Sequence, residues 1–90
     1  MPSCKIIVTG KVQGVYFRQS TREQALKLGL KGFVMNLDDG SVYIEAEGEE
    51  ASLRQLSVWC ERGPVLASVT GVEFSLTDSH IRYEGFVIRR

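Results

Sequence analysis

The sequence predicts an α+β fold in which two helices cover one face of an antiparallel sheet. Three observations predict it. Several stretches alternate apolar and polar residues as half-buried strands do, and two longer ones repeat their apolar residues at the helical period. These elements follow one another as β-α-β-β-α-β, with a further short C-terminal strand. Stacking both helices on one side of such a sheet buries every apolar face at once, which is the ferredoxin-like sandwich.

The first strand is read over residues 4–10, with Cys4, Ile6 and Val8 on one face and Ile7 on the other. Residues 11–16 form a loop. A helix follows over 17–28, where Phe17, Thr21, Ala25 and Leu28 share a stripe. Gly29 and Gly32 flank its end and the start of a short strand over 33–36. Asp39-Gly40 signals a hairpin, after which Val42, Ile44 and Ala46 alternate with Tyr43, Glu45 and Glu47. The second helix spans 50–62, with Leu53, Leu56, Trp59 and Cys60 inward and Glu49 and Glu50 favourable near its positive end. Gly63-Pro64 stops it. Alternating strands over 69–76 and 83–88 close the chain.

Ninety residues hold one core, so residues 1–90 are expected to form a single domain. Eleven basic residues balance eleven acidic ones without a like-charged block, so the basic stripe of a nucleic-acid binder is missing. Cys4 and Cys60 lie too far apart for metal-ligand spacing and read as packing residues; no metal site is expected. Neither a secretory pattern nor a membrane-length apolar run occurs, which leads us to expect a cytoplasmic protein; separately, a monomer is expected.

The segment joining the first strand to the first helix carries the chemistry. Gly10 and Gly14 let the backbone turn sharply and aim several amides at one spot. The helix starting near Phe17 adds unpaired amides and the positive end of its dipole, an arrangement suited to phosphate or carboxylate. Arg18 is a cation in that first turn, where it opposes the macrodipole at a cost of about 0.3–1 kcal/mol when exposed. A bound anion reverses that cost, and a guanidinium grips phosphate through two parallel hydrogen bonds. The other reading of Arg18 is a solvated arginine whose stem covers apolar surface. Asn36, the single asparagine, ends a strand before the Asp38-Asp39-Gly40 turn. Its amide either stabilises that turn or holds a water or substrate oxygen.

Gly10-Lys11-Val12-Gln13-Gly14-Val15-Tyr16-Phe17-Arg18 resembles the acylphosphatase signature of Gly, any residue, Val-Gln-Gly-Val, any residue, Phe-Arg. The run from Gly32 to Val42 resembles the second signature of that family, which ends Asn, two residues, Asp-Gly, any residue, Val. Gly63-Pro64 and Ala67 are similar to a weaker third feature, so the resemblance spans the chain. It departs where the family often has Trp at Phe33, Arg at Met35 and a second Pro at Val65; by strand alternation Met35 points away from Asn36.

The resemblance implies a metal-independent hydrolase of small-molecule acyl phosphates, releasing a carboxylate and inorganic phosphate without a cofactor or a covalent enzyme intermediate. It implies that Arg18 and the backbone amides of Gln13, Gly14, Val15, Tyr16, Phe17 and Arg18 hold the phosphate, and that Asn36 positions the attacking water.

Other readings are weaker. His80 sits in the polar run Thr77-Asp78-Ser79-His80, and adjacent residues cannot converge as a triad. Gly10-Lys11 lacks the Ser or Thr that completes a nucleotide-binding loop. Lys31-Gly32-Phe33-Val34 resembles part of an RNA-recognition signature but lacks its alternating aromatics, and Tyr43, Tyr83 and Phe86 read as sheet residues. A non-catalytic module that binds a small anion stands as the rival to the enzyme.

Overall fold

The computed structural model describes residues 1–78 and 83–90. The strands are β1 (Ser3–Lys11), β2 (Lys31–Asn36), β3 (Val42–Glu47), β4 (Ser68–Thr77) and β5 (Phe86–Arg89), and the helices are α1 (Phe17–Lys27) and α2 (Glu50–Arg62). They form one sheet in the order β4-β1-β3-β2-β5 with both helices packed on it, the α+β sandwich expected from the element order. No helix among the described residues is long and apolar enough to cross a membrane.

Four strands pair antiparallel, but β5 runs parallel to β2 with Val34 opposite Ile88. β4 and β5 lie on opposite edges of the sheet, and β5 starts at the end where β4 finishes, which is the end where β2 begins.

Alternation places Cys4, Ile6 and Val8 of β1 with Val42, Ile44 and Ala46 of β3 on the helix-covered face, all buried. Phe17 and Ala25 of α1 and Leu53, Leu56 and Cys60 of α2 close the core from above. Burying each large apolar side chain contributes about 1.5–3 kcal/mol. Trp59 is half-buried, its ring 5.5 Å from that of Phe17. Thr21 is buried too, and its hydroxyl is satisfied by donating to the Phe17 carbonyl at 2.8 Å. Arg22 ties α1 to β5 by donating from Nε to the Phe86 carbonyl at 3.1 Å.

The strand expected over 83–88 is shorter: β5 begins at Phe86, and Tyr83 precedes it. Tyr83 instead lays its ring against Phe33, 6.1 Å away, on the face that no helix covers. Phe33 is only 5% exposed there because Tyr83, Tyr43 and the Arg89 guanidinium, 3.8 Å from its ring centre, roof it over. The polar turn expected around His80 lies outside the described residues.

Candidate active site

The C-terminal ends of β1, β2 and β5 meet the N-terminus of α1 at one edge of the sandwich. The β1–β4 ladder breaks register between Thr9 and Gly10, so Thr70 bulges from β4. Gly10 has φ 120, and a Cβ there would run into the Ser68 carbonyl oxygen and the Thr70 amide nitrogen. Only glycine lets the two backbones approach so closely while the chain leaves the sheet.

Beyond β1 the loop is pinned from below by Val12 and Val15, 1% and 5% exposed. Between them Gly14 has φ 75 with open space where a Cβ would stand, so it serves the backbone turn and not packing. Tyr16 is the one non-glycine residue with positive φ among those described, at φ 64 and ψ 22. A left-handed residue directly before a right-handed helix turns successive amides into one concavity. Tyr16 is also the N-cap of α1, yet no side chain caps that end and no acidic residue stands in the first turn. The first-turn amides thus keep their donors for something else.

Arg18 is the second residue of α1, half-exposed, and it pairs with no carboxylate among the described residues. Asn36 closes β2, opposite Val42 of β3. Its Oδ1 is buried without a hydrogen-bond partner among the described residues. The turn after it is held by other groups. Asp39 accepts from the Ser41 amide and hydroxyl, and the Leu37 amide donates to the Ser41 carbonyl at 2.9 Å. Those Ser41 bonds hold the Asp39 carboxyl below its ordinary value. Turn stabilisation therefore falls to Asp39, and the Asn36 acceptor is left over.

A cavity of about 440 Å³ opens here, with Gly14, Tyr16, Phe17 and Arg18 on one side and Asn36 on the other. Of the remaining residues expected in the site, Val15 buries its side chain in the core. Gln13 sends its side chain to the neighbouring turn, donating from Nε2 to the carbonyls of Leu37 and Ser41. Sequence reasoning missed Ile88 and Arg90, which complete the wall from β5 and the residue after it. Alternation could have put Ile88 on the face of Phe86, but nothing local says that β5 lies beside β2. Arg18 and Arg90 bring two guanidinium groups to a wall with no carboxylate side chain among the described residues, so its potential favours an anion.

The acylphosphatase family model matches residues 4–88. The acylphosphatase of Pseudomonas paraeruginosa is 51% identical over 83 residues, 92% of this chain and 90% of that protein. That of Thermotoga maritima is 49% identical over 89 residues, 99% of this chain and 98% of that one. The crystal structure of acylphosphatase from Bacillus subtilis superposes with a TM-score of 0.95 at 37% identity, covering both chains in full.

Proposed function

The chain belongs to the acylphosphatase family, hydrolases of acid anhydrides, and from that premise we propose a direct, single-displacement hydrolysis carried by Arg18 and Asn36. The substrate is a small-molecule acyl phosphate. Its phosphate sits in the concavity of the loop, where the amides of Gln13, Gly14, Val15, Tyr16, Phe17 and Arg18 donate to its oxygens. The guanidinium of Arg18 takes the same group from the side. Residues 1–90 act as one domain.

The observation that carries this reading is the buried Oδ1 of Asn36, unpartnered among the described residues, in a wall shared with Arg18, which pairs with no described carboxylate. A buried acceptor without a donor costs about 1–3 kcal/mol. Turned toward the cavity, Oδ1 accepts from a water, which removes that cost and fixes the water over the phosphorus. Its oxygen bonds to phosphorus as the bond from phosphorus to the acyl oxygen breaks, and that electron pair leaves on the carboxylate. With carboxyl pKa values around 4, the leaving group needs no proton. The proton lost by the water passes to a phosphate oxygen, so the products are a carboxylate and inorganic phosphate. What the protein supplies is position and charge stabilisation of the equatorial oxygens, which phosphoryl transfer chiefly requires. Apart from the exposed Tyr16 phenol, the wall presents no side-chain nucleophile among the described residues, which supports attack by water over a phosphoenzyme.

The test is hydrolysis of benzoyl phosphate in chelator by the native chain and by folded Arg18→Ala and Asn36→Ala variants. Each variant should lose about 10²–10³-fold in kcat, the scale of removing one preorganised group. Substrate chiral at phosphorus should give inverted phosphate. Retention would establish two displacements and overturn the direct attack.

A further inference from the structure

Gln13 lies within the phosphate-holding loop, yet its side chain works elsewhere. Nε2 donates to the Leu37 carbonyl at 2.8 Å and to the Ser41 carbonyl at 2.9 Å. An amide nitrogen has two hydrogens, and both are spent on this one turn. Leu37 directly follows Asn36, and Ser41 directly precedes Val42, the partner of Asn36 across the β2–β3 ladder. A single side chain therefore grips both arms of the turn at the point where Asn36 enters it.

The sheet order makes that grip consequential. β3 lies between β1 and β2, so no backbone ladder joins the segment leaving β1 to the strand that carries Asn36. Among the described residues no other side chain hydrogen-bonds residues 12–16 to residues 36–41. The loop that cradles the phosphate and the residue that holds the water would otherwise be linked only through packing and, indirectly, through the intervening strand β3.

We infer that Gln13 is a positioning residue: through its side chain it sets the placement of Asn36 relative to the loop amides and Arg18. This rests on the roles proposed above for Arg18 and Asn36. The loop amide of Gln13 faces the anion, while its side chain fixes where the nucleophile stands. A misplacement of about 1 Å between reacting groups costs on the order of 10²-fold in rate. Binding of the anion itself should be spared, because the loop amides and Arg18 stay in place.

The experiment compares Gln13→Met, which fills similar space without donors, with the native chain. kcat and KM for benzoyl phosphate are measured alongside the competitive inhibition constant of inorganic phosphate. We expect kcat to fall about 10–100-fold while phosphate inhibition changes less than about threefold. In an Asn36→Ala background, the same substitution should cost little more, since groups that act as a unit are not additive. Should Gln13→Met not fold, Gln13→Asn carries the comparison, because its shorter side chain cannot reach both carbonyls.

Three outcomes with the Gln13 variants overturn the proposal. These are an unchanged kcat in a variant without the paired bonds, a phosphate affinity that weakens in step with kcat/KM, or a full additive loss in the Asn36→Ala background. Full turnover by Asn36→Ala alone would remove the role of Asn36, and this proposal with it. Loss in Asn36→Ala with full turnover in Gln13→Met would remove this proposal only.

Discussion

Tyr83 donates its hydroxyl to Oε1 of Glu45 at 2.7 Å, joining the segment before β5 to the centre of the sheet. Tyr43 donates to the other carboxylate oxygen at 2.6 Å, and both rings lie against Phe33. Partial burial pushes the Glu45 carboxyl up, but the two hydroxyls and the charges of Lys5 and Arg89 outweigh it and hold the group below 4.5. Burial first, and the facing carboxylate second, push both tyrosines up, Tyr83 to about 12.

The sign of the resulting pH dependence follows. A carboxyl depressed by folding stabilises the native state fully above its unfolded value and loses that contribution as pH falls through its native one. Glu45→Gln should therefore lower stability at neutral pH by about 1 kcal/mol, less than the roughly 1.5–3 kcal/mol of a bond to a charged group because the cluster is partly solvated. The gap between variant and native chain should close on acidification below 4.5. The tyrosines behave oppositely, contributing fully below 10.0 and losing the contribution as pH rises through about 12 for Tyr83. Urea denaturation of both chains across pH measures all of this. A gap that widens in acid would contradict the charge assignment.

The two loop glycines should respond differently to alanine. At Gly10 the new methyl meets the backbone of β4, which cannot yield cheaply, and φ is 120. Gly10→Ala should cost about 3 kcal/mol or more, combining overpacking with backbone strain. At Gly14 the methyl enters open space, leaving only left-handed strain of about 1–2 kcal/mol. Denaturant midpoints at constant m-value would rank them, and equal losses would refute the packing argument.

Tyr16 is 74% exposed and pays left-handed strain with little burial in return. Asparagine tolerates that conformation, so Tyr16→Asn should raise stability by about 0.5–1 kcal/mol. A thermal melt that shifts downward would mean that contacts of the ring outweigh the strain.

Cys4 and Cys60 are free and buried, 1% and 0% exposed. Burial pushes the Cys4 thiol up to about 11 even though a backbone hydrogen bond with Ala46 opposes it. Cys60 is pushed higher still, by burial and by its neighbour Cys4. Reaction needs a reachable thiolate. A chromogenic disulfide reagent should therefore leave the native chain unlabelled over minutes at neutral pH, and label both thiols in guanidinium chloride. Fast labelling without denaturant would show that the core opens readily.

Much of the fold was legible in the residues themselves. The alternation of Cys4, Ile6 and Val8, and of Val42, Ile44 and Ala46, marked buried faces because a strand sends successive side chains to opposite sides. The spacing of Leu53, Leu56 and Cys60 before Gly63-Pro64 gave the second helix its observed bounds. The loop from Gly10 to Arg18 stood out because its glycines, the helix start and its cation all lie within a few positions of one another.

Those features depend on near neighbours in the chain, and the sequence by itself determined them. Tertiary structure alone decided which segments meet. It set β5 parallel beside β2, bringing Ile88 and Arg90 to the cavity wall with Asn36. It gave the turn to Asp39, leaving Asn36 Oδ1 unpartnered among the described residues, and it turned Gln13 across 24 positions onto Leu37. The physical reason is that periodicity and capping are settled by covalent geometry within a turn or two of chain. A strand edge or an amide donor has no preferred partner until the whole sheet closes and leaves one acceptor within reach.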